Sequence, residues 1–131
     1  MKILESAENY LETILMIKQE KGYCRSIDVA NRLNFSKPSV SVAMKNLREN
    51  GYINVVEEGH LELTDKGIVI AEKMYERHRL LTCWLVYMGV DKTVAGEDAC
   101  RMEHVISAET FDAMKRHFAQ FHGVFPESET E

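Results

Sequence analysis

The stretch SIDVANRLNFSKPSVSVAMKNLRENG, Ser26 to Gly51, decides the fold. It holds two apolar runs at helical period, separated by a short polar break. In the first run Ile27, Ala30 and Leu33 recur at three-residue steps, and Ser26 has the hydroxyl of an N-cap. Asn34 to Ser36 is the break. Ser36 can cap the second run, and Pro38 falls in its first turn, where an absent N–H leaves no bond unmade. Val40, Ala43, Met44 and Leu47 make the buried stripe of that run, and Asn50-Gly51 stops it. Lys37, Ser39, Ser41, Val42, Lys45 and Asn46 avoid the stripe and would face outward. Lysines and serines suit phosphate contacts, while Pro38 and Val42 suit thymine methyls. Arg25 and Arg48 add positive charge at the two ends, completing the candidate DNA-binding set. An ordinary solvated helix face has the same pattern.

Working outward, residues 4 to about 21 read as a preceding helix, with Leu4, Ala7, Leu11, Ile14 and Leu15 on one face and Gly22 as its stop. After Gly51 the period changes. Tyr52 to Val56 is β-branched and aromatic, Glu57 to His60 is a turn, and Leu61-Glu62-Leu63 alternates. Helix, helix, turn, helix and hairpin is the outline of a winged helix-turn-helix, whose second paired helix enters the major groove. Thr64 caps a long helix carrying Ile68, Ala71, Met74, Tyr75, His78, Leu81 and Leu85, ended by Gly89. Another covers about Lys92 to Val105, and Ser107 caps a last one bearing Phe111, Met114 and Phe118. The expected architecture is mainly α with a small β-hairpin. A winged helix-turn-helix domain spans 1–63, a second, helical domain 64–122, and a disordered acidic tail 123–131.

A formal net charge of −5 over 131 residues weighs against simple nucleic-acid binding. Its placement answers the objection. From Arg25 to Gly51 five basic residues face two acidic ones, and from Glu97 to Glu131 eight acidic residues face three basic ones. A basic early segment and an acidic late one imply two tasks in one chain. Three cysteines, Cys24, Cys83 and Cys100, do not make a disulfide framework. No signal peptide is visible, and the longest apolar stretch, Leu80 to Val90, is too short for a bilayer. A reducing cytoplasm is expected, with no membrane association.

The chemistry concentrates in Asp98-Ala-Cys-Arg-Met-Glu-His104. Cys100, Glu103 and His104 stand at i, i+3 and i+4, on one side of a helix. Thiolate, carboxylate and imidazole are side chains that bind divalent transition metals. The competing reading is a half-buried cysteine beside an exposed Glu-His pair. His78, in the apolar stripe of the long helix, strengthens the ligand reading. Asn9 and Glu12, at i and i+3 on the first helix, read by themselves as solvated surface. Nothing resembles a nucleophile–base–orienter set, a phosphate loop or HExxH, so no enzyme activity is expected.

The stretches Ser6-Ala-Glu-Asn-Tyr-Leu-Glu12, Glu76-Arg-His-Arg-Leu-Leu81 and Asp98-Ala-Cys-Arg-Met-Glu-His-Val-Ile-Ser107 resemble the diphtheria-toxin-repressor and manganese-transport-regulator family. The resemblance covers about Leu4 to Phe118 and is to the short, two-domain members. It implies that the helical domain 64–122 is a metal-binding and dimerisation domain, and that the protein is a homodimeric repressor that binds a palindromic operator in double-stranded DNA, with iron or manganese as co-repressor, and targets in metal homeostasis. By motif position it implies metal ligands at Cys100, Glu103, His104, His78 and Glu12, with Asn9 standing where the two main branches carry aspartate or methionine. Cys100 follows the iron-type branch and Glu12 the manganese-type branch. Thr82 and Gly96 stand where ligands of the iron branch's ancillary site are expected. The soft thiolate favours iron(II), with manganese(II) next. The alternative is a winged-helix regulator switched by a small ligand or by thiol oxidation.

Overall fold

The computed structural model describes residues 5–120, so the expected acidic tail lies outside the described residues. The chain divides into two compact units between Tyr75 and Glu76. The N-terminal unit contains α1 (Glu5–Lys21), α2 (Ser26–Leu33), α3 (Lys37–Glu49), β1 (Ile53–Val55) and β2 (Leu61–Leu63). A single 3-10 turn, Glu57–Gly59, joins the strands. The boundary falls inside α4 (Asp65–Tyr87), whose later half belongs to the C-terminal unit with α5 (Lys92–Val105) and α6 (Ala108–Phe118).

The core of the N-terminal unit is drawn from every one of its elements. Leu11, Ile14 and Ile17 come from α1, Val29 and Ala30 from α2, Val40, Met44 and Leu47 from α3, Ile53 and Leu61 from the hairpin, and Ala71 from α4. A fully buried Leu or Ile contributes about 1.5–3 kcal/mol, so these contacts, more than helix propensity, hold the short α2 in place. The strands pair antiparallel with Ile53 opposite Leu63 and Val55 opposite Leu61.

The caps explain the boundaries. Ser36 accepts the Ser39 N–H at 3.3 Å and opens α3 as expected, with Pro38 in the first turn. The cap of α2 is Arg25, one residue earlier than the expected Ser26. Asp28, in the first turn, reaches back to accept the N–H of the cap residue Arg25 at 2.9 Å, the carboxylate half of a capping box, which sets the helix start one residue before Ser26. Asn34 ends α2 in the left-handed conformation at φ 60°.

The wing is docked on the first turn of α4. Thr64 Oγ1 donates to the Gly51 carbonyl at 2.7 Å and accepts the Gly67 N–H at 3.1 Å. A Cβ on Gly67 would stand 2.1 Å from the Tyr52 carbonyl oxygen, so only glycine allows this approach.

In the C-terminal unit Leu81, Ala95, Ala99, Phe111 and Phe118 are buried. Trp84 of α4 stacks on Phe118 of α6 with centroids 4.5 Å apart. Asp91 caps α5 by accepting the Thr93 N–H at 3.0 Å, and Ser107 caps α6 by accepting the Thr110 N–H at 3.0 Å. Among the described residues no helix is long and apolar enough to cross a membrane.

Candidate metal centre and DNA-reading helix

One turn of α5 supplies three donor types. Cys100, Glu103 and His104 project to one side of it, and their ligand atoms lie within 4.8 Å of one another. Glu103 is fully buried at 0% exposure, and the His104 side chain is 7% exposed. The bland expectation of an exposed Glu-His pair therefore does not hold.

Glu103 stands at the centre. Its Oε1 is 3.0 Å from His78 Nδ1 on α4, and its Oε2 is 3.2 Å from His104 Nε2. A buried carboxylate is costly unless positive charge or donors surround it, and here imidazoles flank both oxygens. Two donors each about 2.1 Å from one ion, at tetrahedral or octahedral angles, stand roughly 3.0–3.4 Å apart. The observed separations fall in that range, so the residues fit a divalent transition ion. Bound there, such an ion would supply positive charge to a site otherwise rich in acceptors.

On α1, Glu12 is 3% exposed and Asn9 is half-buried. The solvated surface expected of this pair from spacing alone is thus corrected for Glu12. The Asn9 carbonyl accepts the Thr13 hydroxyl at 2.7 Å. Thr82 and Gly96, in place of ancillary ligands, are both half-buried; no atom lies within 4 Å of a Cβ built on Gly96.

The structure leaves all eight candidate DNA-binding residues exposed: Arg25, Lys37, Pro38, Ser39, Ser41, Val42, Lys45 and Arg48. Lys37 to Arg48 lie on α3, opposite its buried Val40, Met44 and Leu47. Arg25 lies apart from them at the foot of the wing, bridged to His60 through the backbone and 4.0 Å from Glu58. The Arg25 guanidinium also lies 5.9 Å from the Tyr23 ring, which stacks on His60 at 5.4 Å. Arg77 was missed. It is buried beside His78 and donates to the Glu103 carbonyl at 2.8 Å. The signal was present, because Met74, Arg77, His78 and Leu81 follow i, i+3, i+4 and i+7 on one helix face.

A winged helix-turn-helix followed by a helical unit with a thiolate–carboxylate–imidazole cluster defines a DNA-binding protein of the metal-responsive class. The comparisons narrow this. Residues 2–61 match the iron dependent repressor N-terminal DNA binding domain, and residues 64–123 match the iron dependent repressor metal binding and dimerisation domain. The chain belongs to the iron-dependent repressor family. It is 37% identical over 119 residues to the transcriptional regulator MntR of Escherichia coli O6:H1, covering 91% of this chain and 76% of that one. An uncharacterised helix-turn-helix regulator of Methanocaldococcus jannaschii is 34% identical over 119 residues, covering 89% of this chain and 95% of that one. The crystal structure of T. acidophilum IdeR superposes with a TM-score of 0.77 at 25% identity, over 91% of this chain and 55% of that one. A manganese-dependent transcriptional repressor in complex with manganese gives 0.78 at 26% identity, over 86% and 52%. The chain thus spans about half the length of these two solved proteins.

Proposed function

We propose that this chain is a metal-dependent transcriptional repressor, a cytoplasmic homodimer that binds a palindromic operator when a divalent transition ion is bound and controls genes of metal homeostasis. The observation that carries the reading is Glu103, a buried carboxylate with an imidazole at each oxygen and a thiol on the same helical turn, in a chain whose other half is a winged helix-turn-helix. Cys100, Glu103, His104 and His78 serve as ligands, and Glu12 with Asn9 is the contribution of α1. Lys37, Ser39, Ser41, Lys45, Arg48 and Arg25 contact phosphates, while Pro38 and Val42 touch base edges.

Iron(II) is favoured because Cys100 offers a soft thiolate. Manganese(II) is the second reading, supported by the manganese complex of the structural neighbour. Metal and DNA binding are reciprocally coupled, so operator DNA tightens metal binding by the factor that metal tightens DNA binding, typically about 5- to 150-fold.

The test is anaerobic titration of the metal-free protein with iron(II) and, separately, manganese(II), with selection from random-sequence DNA at fixed salt. One metal should raise affinity for a palindrome, and His78→Ala should abolish the gain. Equal DNA binding with and without metal would refute the co-repressor role and favour switching by a small ligand or by thiol oxidation.

A further inference from the structure

Arg77 is 3% exposed. Its Nη1 donates to the carbonyl oxygens of Glu103 at 2.8 Å and Ile106 at 2.9 Å, and its guanidinium lies over the Phe111 ring at 5.2 Å. Among the described residues its hydrogen bonds go to these carbonyls, and its Nε is buried with no hydrogen-bond partner. Burying a guanidinium is costly, so its partners should be informative. Both carbonyls lie at the C-terminal end of α5, where backbone oxygens lack helical partners and carry the negative end of the helix dipole. Arg77 therefore closes the last turn of α5 against α4.

The next residue on α4 is His78, which meets Glu103 from its other end, Nδ1 to Oε1 at 3.0 Å. Consecutive residues of one helix hold Glu103 by its backbone and by its carboxylate. We propose that Arg77 is a positioning residue for the metal centre: it fixes the turn that carries Glu103 and His104 by binding backbone carbonyls rather than the ligand side chains. This rests on the metal-centre reading above. A carboxylate contact from Arg77 would have competed with the metal charge for charge. A carbonyl contact orders the ligand without that competition.

The probe is cobalt(II) alone, titrated anaerobically into the full chain, with the dissociation constant and the ligand-field absorption spectrum as readouts. Arg77→Met keeps the alkyl length and removes the donors. It should weaken cobalt binding by roughly 10- to 100-fold, as loss of an outer-shell partner does, and alter the spectrum. Arg77→Lys has a single ammonium for two carbonyls and should fall between Met and wild type. Val29→Ala, a cavity in the core of the N-terminal unit, lowers stability without touching this turn and should keep the wild-type spectrum and affinity. Wild-type affinity and spectrum in either folded Arg77 variant overturns the proposal. Absence of cobalt binding in the wild-type chain overturns the metal-centre reading itself, and this proposal with it.

Discussion

Alanine at position 67 probes the docking of the wing, because two effects of known size oppose each other there. Gly67 lies in the first turn of α4, and its backbone does not require glycine. Helix propensity alone would favour alanine by about 1 kcal/mol. Against this, the new Cβ would stand 2.1 Å from the Tyr52 carbonyl oxygen and 3.1 Å from its carbon. Carbon–oxygen contacts begin above about 3 Å, so the carbonyl must retreat by roughly 1 Å. That oxygen accepts the Thr64 N–H at 3.1 Å, a bond the retreat would break. Its loss costs about 0.5–1.5 kcal/mol, and the overpacking costs about 1–3 kcal/mol. The net destabilisation centres on about 2 kcal/mol, which with a typical urea slope lowers the midpoint by about 1 M. Tyr52 leads into β1, so the displacement passes to the hairpin. Gly67→Ala should therefore weaken operator binding while leaving cobalt(II) affinity near wild type. Urea denaturation followed by circular dichroism is the assay. A midpoint at or above wild type would mean that propensity wins and that the close approach of Gly67 to Tyr52 does not exist.

Glu103→Gln should lower divalent-metal affinity by more than the roughly 10- to 100-fold typical of outer-shell partners, measured calorimetrically; an unchanged affinity would remove Glu103 from the ligand set. Cys100→Ser replaces the soft donor, so the preference for iron(II) over manganese(II) should narrow in competition titrations, and peroxide should no longer abolish DNA binding. If peroxide inactivates the serine variant equally, oxidation acts elsewhere. Burial pushes the Cys24 thiol up from 9.0 to about 12. The folded chain holds that proton while the unfolded chain releases it, so Cys24 contributes stability that is complete below about pH 9 and is lost as pH rises towards 12. Cys24→Ala should flatten the alkaline limb of a stability–pH curve, and an identical limb would contradict the burial of this thiol.

The sequence made legible what is decided locally. Ser36, Asp91 and Ser107 each sit where a helix starts and each accepts an N–H of the first turn. Only Ser36 and Ser107 were expected in that role. The one-residue error at Ser26 arose because both Ser26 and Asp28 can satisfy a helix start, and only the folded backbone chooses between them. Cys100, Glu103 and His104 were legible as a set because a helix places i, i+3 and i+4 together whatever surrounds it. Glu12 was not, because spacing says nothing of depth, and a carboxylate at 3% exposure has the same letter as one in water. Arg77 failed for the same reason. Its position on the buried stripe was visible, but its partners are backbone carbonyls on α5, and no side-chain pattern announces them.

The aromatic stack in the C-terminal unit makes the molecule its own optical instrument. Trp84 is the sole tryptophan, and it lies against Phe118, with His117 at 5.9 Å and Tyr87 at 5.7 Å. Red-edge excitation therefore reports from the contact of α4 with α6, while the DNA-reading half contributes no tryptophan emission. Melting followed by fluorescence, set beside melting followed by circular dichroism, would read the C-terminal unit apart from the whole chain without a label being attached.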